Sequence, residues 1–297
     1  MPQHQPAGIG SSPAKVILLG EHSAVYGQPA LALPLPTVSA TCHATPAPRP
    51  GIFIQSDLYT GALENIPEDL AAVQKLTMRL VAHLGLENQP LQLALTTNIP
   101  IARGLGSSAA ISAALTRALY DFASQPLSPE TTYQHVQWAE MIHHGASSGI
   151  DAAVVSHQKT VLLTREKEIR YITATLPGVL LVMDSGTPSA TKKSVAFLRE
   201  QKQYNPTIEG YITSLGEVAD AGLHAYESGA IAELADAMNQ SHALLQNCGV
   251  SSSTLDQLVS VALQNGAVGA KMTGGGQGGC MIALCKHSKR PRWYGWL

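Results

Sequence analysis

Charge, cysteine and long apolar runs are all scarce in this chain of 297 residues. Only 13% of its residues are charged, and 19 Lys and Arg against 21 Asp and Glu leave a formal net charge of −2, so no overall field draws it to nucleic acid or to an anionic membrane. An anionic ligand must therefore be held by local structure. The four cysteines, Cys42, Cys248, Cys280 and Cys285, lie far apart or at a spacing unlike the CxxC of zinc sites. They read as reduced thiols of a cytoplasmic protein. No apolar run reaches about 18 residues, the length a membrane span needs, and MPQHQPAGIGSSPAK at the start lacks the apolar core of a signal peptide. What remains is 45% hydrophobic content, enough for a substantial core and two lobes, with no internal repeat.

Periodicity along the chain predicts alternating strands and helices. AKVILLG (14–20) and LQLALTT (91–97) read as buried strands, and the stretch from 68 to 85 between them has helical spacing and a glycine stop. Further helices are expected over 109–123 and over 128–145, the second opened by a serine cap. TPAPRPG (45–51) is too rich in proline for either regular state and reads as an exposed loop. LPGVLLVMD (176–184) reads as a strand opening a second lobe, followed by helices through 190–265 and a strand pair near 269–285.

Four stretches carry the chemistry. PIARGLGSSAA sets glycines directly before a helix start, where successive amides can converge on an anion that also feels the positive end of the helix dipole. The alternative is a plain tight turn with Ser107 or Ser108 as the cap. It is neither a Walker A loop, which needs a lysine, nor a GxGxxG fingerprint. In EMIHHGASSGID, Glu140 near the end of one helix and Asp151 in the first turn of the next flank a Gly/Ser turn that can bring two carboxylates together. One could hold a divalent cation and the other accept a proton; the plainer alternative is a solvated helix residue and a dipole partner. KVILLGEHSAVYG places Lys15 at the head of a strand and Glu21 and His22 just past its end, and KMTGGGQGGC packs five glycines into 274–279, so backbone must approach something closely there.

Together these motifs resemble, in order and spacing, the signatures of the GHMP kinases, over about Ser11 to Leu284. Within that superfamily GEHSAVYGQPALA is most similar to the mevalonate kinase family, as are EMIHHGASSGIDAAV, where Ser147 stands in place of the usual proline, and DSGTPSATKKSV (184–195). The resemblance implies an α+β, two-lobed GHMP kinase fold: an N-terminal lobe like domain 2 of ribosomal protein S5 over residues 1–176, and a ferredoxin-like C-terminal lobe over 177–297. It implies transfer of the γ-phosphoryl of ATP to the 5-hydroxyl of (R)-mevalonate, in isoprenoid precursor synthesis, with ATP between the lobes. Another small-alcohol kinase of the superfamily, or a weakened nucleotide-binding relative, is the alternative. Carried over by position, Pro100, Arg103, Gly104, Leu105, Gly106, Ser107, Ser108 and Ala109 bind the ATP phosphates, with Gly274, Gly275 and Gly276 closing over them. Ser108, or its neighbour Ser107, and Glu140 hold Mg²⁺. Asp151 is the base and Lys15 its catalytic partner; Lys15, Glu21, His22, Asp151 and Thr191 face mevalonate. The resemblance further implies a cytoplasmic homodimer with no nucleic-acid or membrane partner. Such a distribution suits phosphoryl transfer, which depends on alignment and on neutralising oxygen charge more than on a strong nucleophile.

One stretch departs from the family. After CMIALC the family continues through a further helix and strand, whereas KHSKRPRWYGWL (286–297) holds four of the 19 basic residues and two of the three tryptophans, without an apolar period. It reads as an altered or truncated end rather than a nucleic-acid tail, since four charges give only modest, salt-sensitive attraction.

Overall fold

The computed structural model describes residues 7–144, 147–189 and 191–286. The 286–297 tail beyond Lys286 therefore lies outside the described residues, as do Ala190 and the centre of the 145–146 turn. The strands in chain order are β1 (Gly8–Leu19), β2 (Ala30–Pro46), β3 (Ile52–Gln55), β4 (Thr60–Ala62), β5 (Leu91–Thr97), β6 (Thr160–Leu163), β7 (Ile169–Ile172), β8 (Val179–Asp184), β9 (Gly269–Thr273) and β10 (Cys280–Cys285). The helices are α1 (Ala71–His83), α2 (Ser107–Phe122), α3 (Pro129–His144), α4 (Ile150–His157), α5 (Thr191–Tyr204), α6 (Pro206–Ser228), α7 (Ile231–Asn247) and α8 (Ser253–Gln264).

Two compact units divide the chain discontinuously. The first comprises the described residues up to Lys15, Pro34–Ile99 and Gly106–Gln158; the second comprises Val16–Leu33, Pro100–Leu105 and the described residues from Lys159 on. The chain thus changes unit between Lys15 and Val16 and again between Leu105 and Gly106. Both junctions fall inside motifs singled out from the sequence.

In the first unit β3 pairs with β4 antiparallel and with β5 parallel, and the second half of β2 pairs with β5 antiparallel from Ala40↔Thr97 to Pro46↔Leu91. Helices α1 to α4 pack on one another, burying Leu76, Leu80, Leu115, Leu119 and Val136. Strand β1 starts at Gly8, six residues before the strand expected there, for a steric reason. A Cβ on Gly8 would lie 2.2 Å from Ala118 O and one on Gly10 2.1 Å from Ala114 O, so only glycine lets the strand lie directly on the alanine-rich α2. A strand advances about 3.3 Å per residue and a helix about 1.5 Å, so two strand residues span the four helix residues from Ala118 to Ala114. Continued for five more residues, the same path brings Lys15 to the N-terminus of α2.

In the second unit the start of β2 pairs with β6 through Ala30↔Leu163, and β6 pairs with β7, both antiparallel. A separate antiparallel sheet has the order β8-β10-β9 among the described residues, in the register Cys280↔Asp184 and Cys280↔Thr273. Helices α6, α7 and α8 cover it around a core of Ile212, Leu215, Leu245, Leu255, Met272 and Met281. Asn205 caps α6, its side chain accepting from Thr207 N at 3.0 Å, and Ser252 caps α8 in the same way through Leu255 N.

Candidate active site

The first unit gathers a charged cluster at the N-terminus of α2. Lys15 on β1 is 4% exposed, and its Nζ lies 3.0 Å from Oδ1 of Asp151 in the first turn of α4. Gly106 precedes α2 at φ 72°, and a Cβ there would fall 2.8 Å from Lys15 Cγ. Both the left-handed backbone and the lysine stem therefore demand glycine. Among the described residues no side chain caps α2, which rules out the plain capped turn: Ser107 and Ser108 are its first helical residues rather than its caps. Its first amides consequently lack intrahelical acceptors and sit at the positive end of the dipole.

Ser108 hydrogen-bonds the carboxyl of Glu140 on α3. Glu140 is 3% exposed, and burial, reinforced by the charge of Asp151, pushes its pKa up to about 7 against the opposing pull of Ser108 and Lys15. The two carboxylates come together through the turn between α3 and α4. Ser147 Oγ donates to Gln137 Oε1 at 3.2 Å and accepts from Gly149 N at 3.3 Å, and Gly149, at φ 84°, starts α4. The hydroxyl at 147 thus ties the turn back to α3 one helical turn before Glu140.

The second unit holds the remaining motif residues in a more sealed arrangement. Lys271 on β9 is fully buried and pairs with Glu21, itself 1% exposed, while also donating to Met272 O at 2.7 Å. The next residue, His22, has φ 59°, and its Nε2 donates to Gly275 O at 3.0 Å. Burial holds its pKa down at about 4. Thr273 Oγ1 donates to Ile17 O at 2.8 Å and accepts from Ile17 N at 3.1 Å, fastening β9 to β1.

The glycine run packs against other segments of this same unit. A Cβ on Gly274 would lie 3.3 Å from the Cα of Gly104, and one on Gly275 would lie 2.1 Å from Thr191 Oγ1. One on Gly276 would strike Val250 O at 2.0 Å. Ser189 N donates to Ala102 O at 2.7 Å, and Arg103 Nε reaches both oxygens of Asp184 at 2.7 and 2.8 Å. The tails of the GLGSS approach, of 184–191 and of the glycine run are thereby laced together.

Measured against the sequence, Lys15, Gly106, Ser108, Glu140 and Asp151 cluster in the first unit, and His22, Arg103, Gly104, Thr191, Gly274, Gly275 and Gly276 cluster in the second. The side chains of Leu105 and Ala109 are buried in packing, leaving only their backbone for a ligand, and Pro100 is exposed. Arg103 and Glu21 spend their charge on Asp184 and Lys271. Lys271 itself escaped the sequence reading. Its signal was a lone charge between Ala270 and Met272 in an otherwise apolar strand.

Comparison with known proteins gives this geometry a family. The N-terminal domain of GHMP kinases matches residues 71–159 and the C-terminal domain matches 223–292. A mevalonate kinase from Pyrococcus abyssi is 32% identical over 303 residues, covering 95% of this chain and 90% of its own. The chain belongs to the mevalonate kinases of the GHMP kinase family. Among solved structures, mevalonate kinase from methicillin-resistant Staphylococcus aureus aligns over 95% of this chain and 90% of its own, with 29% identity and a TM-score of 0.73. Leishmania major mevalonate kinase in complex with R-mevalonate shares the fold with a TM-score of 0.82 over 96% and 90% of the two chains, at 24% identity. The expected α+β GHMP kinase fold is therefore the one observed, and the family's chemistry makes the chain an ATP-using kinase.

Proposed function

We propose that this chain transfers the γ-phosphoryl of ATP to the 5-hydroxyl of (R)-mevalonate, the step that yields 5-phosphomevalonate for isoprenoid precursors. The observation that carries the reading to the level of residues is the Lys15–Asp151 pair at 3.0 Å beside buried Glu140 at an uncapped helix N-terminus, in a chain with full-length mevalonate kinase relatives. In this reading Asp151 receives the proton of the alcohol. Lys15, already donating to that carboxylate, holds it in place and offsets charge on the transferring group. The amides of Gly106, Ser107 and Ser108 receive phosphate oxygens, which suits a helix start with donors to spare.

Ser108 and Glu140 would hold Mg²⁺. Hydroxyl and carboxylate are the hard oxygen donors this cation prefers, and it commonly takes only one or two protein ligands beside substrate phosphates. The elevated pKa of Glu140 fits the same role, because a cation beside it would relieve the repulsion with Asp151. When bound, the ion would neutralise charge on the phosphate oxygens. His22 and Thr191 face the alcohol, Glu21 contributes through its hold on the turn, and Gly104 with Gly274 to Gly276 lets backbone approach the phosphates.

The domain boundary at 176/177 belongs to this proposal; the family's N-terminal match ends at 159 and its C-terminal match begins at 223, which supports it. So do action in the cytoplasm, a homodimeric state and independence from nucleic acid and membrane. A net charge of −2 supports the last, and no helix among the described residues is long and apolar enough to cross a membrane. The test is ADP release with mevalonate, homoserine, galactose and phosphomevalonate as acceptors. Mevalonate should support turnover at least about tenfold faster than any other, and equal rates with homoserine or galactose would overturn the substrate assignment.

A further inference from the structure

The buried Lys271–Glu21 pair is unusual enough to need a reason. Burying a lysine and a glutamate costs several kcal/mol per ion before their attraction offsets it, so apolar residues of similar volume commonly serve stability as well or better. Here the lysine is 0% and the glutamate 1% exposed, and the next residue along the chain is under strain. His22 is a non-glycine residue at φ 59° and ψ −43°, outside the backbone regions that L side chains favour. Such a conformation persists only when the surroundings over-determine it. Three restraints do so here: the Glu21–Lys271 pair on its N-terminal side, the Ser23 N to Glu21 O bond at 2.6 Å, and the ring bond from Nε2 to Gly275 O at 3.0 Å.

That ring bond decides the chemistry of the histidine. A carbonyl can only accept, so Nε2 carries the hydrogen, and in the neutral ring Nδ1 is an acceptor. Nδ1 is buried and has no hydrogen-bond partner among the described residues. An orphaned acceptor in a site implies a donor supplied from elsewhere, and a substrate hydroxyl is such a donor. The positive charge of Lys271 acts in the same sense as burial, favouring the neutral ring.

We propose that Lys271 is a positioning residue: through Glu21 it locks the strained turn at His22, seats the ring on Gly275, and so leaves Nδ1 as a fixed acceptor for a hydroxyl of the substrate. This rests on the mevalonate kinase reading for the identity of the alcohol, but not for the state of the ring. Lys271 touches no reacting atom in this scheme. It acts on the histidine through the glutamate and through its charge.

The experiment compares the wild type with Lys271→Met and with Glu21→Gln/Lys271→Met, which leaves no buried charge unpaired and keeps the test available where the single variant does not fold. Nitrogen-15 NMR of the histidine rings, with His22→Gln to assign the resonance, reads the tautomer of His22 without any substrate. The wild type should show His22 as the Nε2–H tautomer, and both lysine variants should show a mixture of tautomers or an exchange-broadened ring. Kinetics on the folded double variant should show KM for mevalonate raised at least about tenfold, with KM for ATP within about twofold of wild type. A double variant that keeps the single Nε2–H tautomer and an unaltered KM for the alcohol would overturn the proposal. A wild type that keeps the tautomer but does not phosphorylate mevalonate would overturn only the functional reading.

Discussion

Two lysine–carboxylate pairs of this chain, Lys15–Asp151 and Lys271–Glu21, differ in how far they are sealed. Lys15–Asp151 buries its lysine but leaves the aspartate side chain 28% exposed, whereas Lys271–Glu21 leaves 0% and 1%. The open carboxylate can meet an alcohol; the sealed one is held against the Lys271 ammonium away from solvent. On the proposed reading, lysine–carboxylate pairs serve chemistry in one unit and architecture in the other, and access to the carboxylate separates the roles. Glu140 stands between these extremes: it is as buried as a structural residue, yet its neighbours are Ser108 and Asp151, and its raised pKa is the cost of that position.

The largest effect that would sharpen this comparison concerns acid stability. His135 in the first unit and His22 and His242 in the second all have pKa values lowered by burial to about 4 from an ordinary 6.5. The unfolded chain binds protons at these rings first, so stability is full above about 6.5 and falls as pH drops towards 4. Each imidazole accounts for up to about 3 kcal/mol, a large share of the stability of an ordinary domain near pH 4. Chemical denaturation at pH 7 and pH 4.5 should show this loss, with a shallower slope in His242→Gln; equal slopes would contradict the assignment.

Next comes the sealed pair. Lys271→Met should lower stability by roughly 3–5 kcal/mol, since it strands a buried carboxylate, and the Glu21→Gln/Lys271→Met double variant should recover most of it. Additive losses in the two substitutions would mean that the residues are not coupled. The smallest effect has the opposite sign. Because the folded state keeps a proton on Glu140 up to about pH 7, the ligand-free protein loses stability as pH rises through that value. Glu140→Gln should therefore stabilise the ligand-free protein at pH 8, by roughly 2–3 kcal/mol at most, while raising the Mg²⁺ concentration needed for activity. Thermal melts and a metal titration on the same preparation check both halves. A variant that melts no higher and needs no more metal would remove Glu140 from the site.

How legible each element was depended on how local its cause is. Helices α2 and α3 and strands β5, β8, β9 and β10 follow from apolar spacing and form where the periodicity places them, and Ser128 Oγ accepts from Thr131 N at 3.0 Å at the start of α3. Strand β2 was hidden by Pro34 and Pro36. Both lie between Ala32, the last residue paired with β6, and Ala40, the first paired with β5, so neither interrupts those two ladders. The end of β2 takes in Thr45 and Pro46, which had read as the start of a loop, because they pair with Gln92 and Leu91. Lys15 was expected at the head of its strand but lies within β1, because the contacts that start that strand at Gly8 are made with α2 over 100 residues away.

The site divides along the same line. Its glycines and carboxylates stand out in the sequence because their spacing is local: Gly104 and Gly106 just before a helix, Glu140 and Asp151 across one turn. The pairing of Lys271 with Glu21 joins positions 250 residues apart, and the bond of Arg103 to Asp184 spans 81. No local pattern encodes either partner. Only the folded sheet ends bring them together.

The central claim is that the half-buried carboxylate of the Lys15–Asp151 pair takes the proton of the acceptor alcohol, and Asp151→Asn tests it most directly. Single-turnover and steady-state rates with mevalonate, paired with calorimetric ATP titration, should show turnover reduced by at least about 10²-fold with ATP affinity changed less than about threefold. Near-normal turnover in that variant would contradict the account.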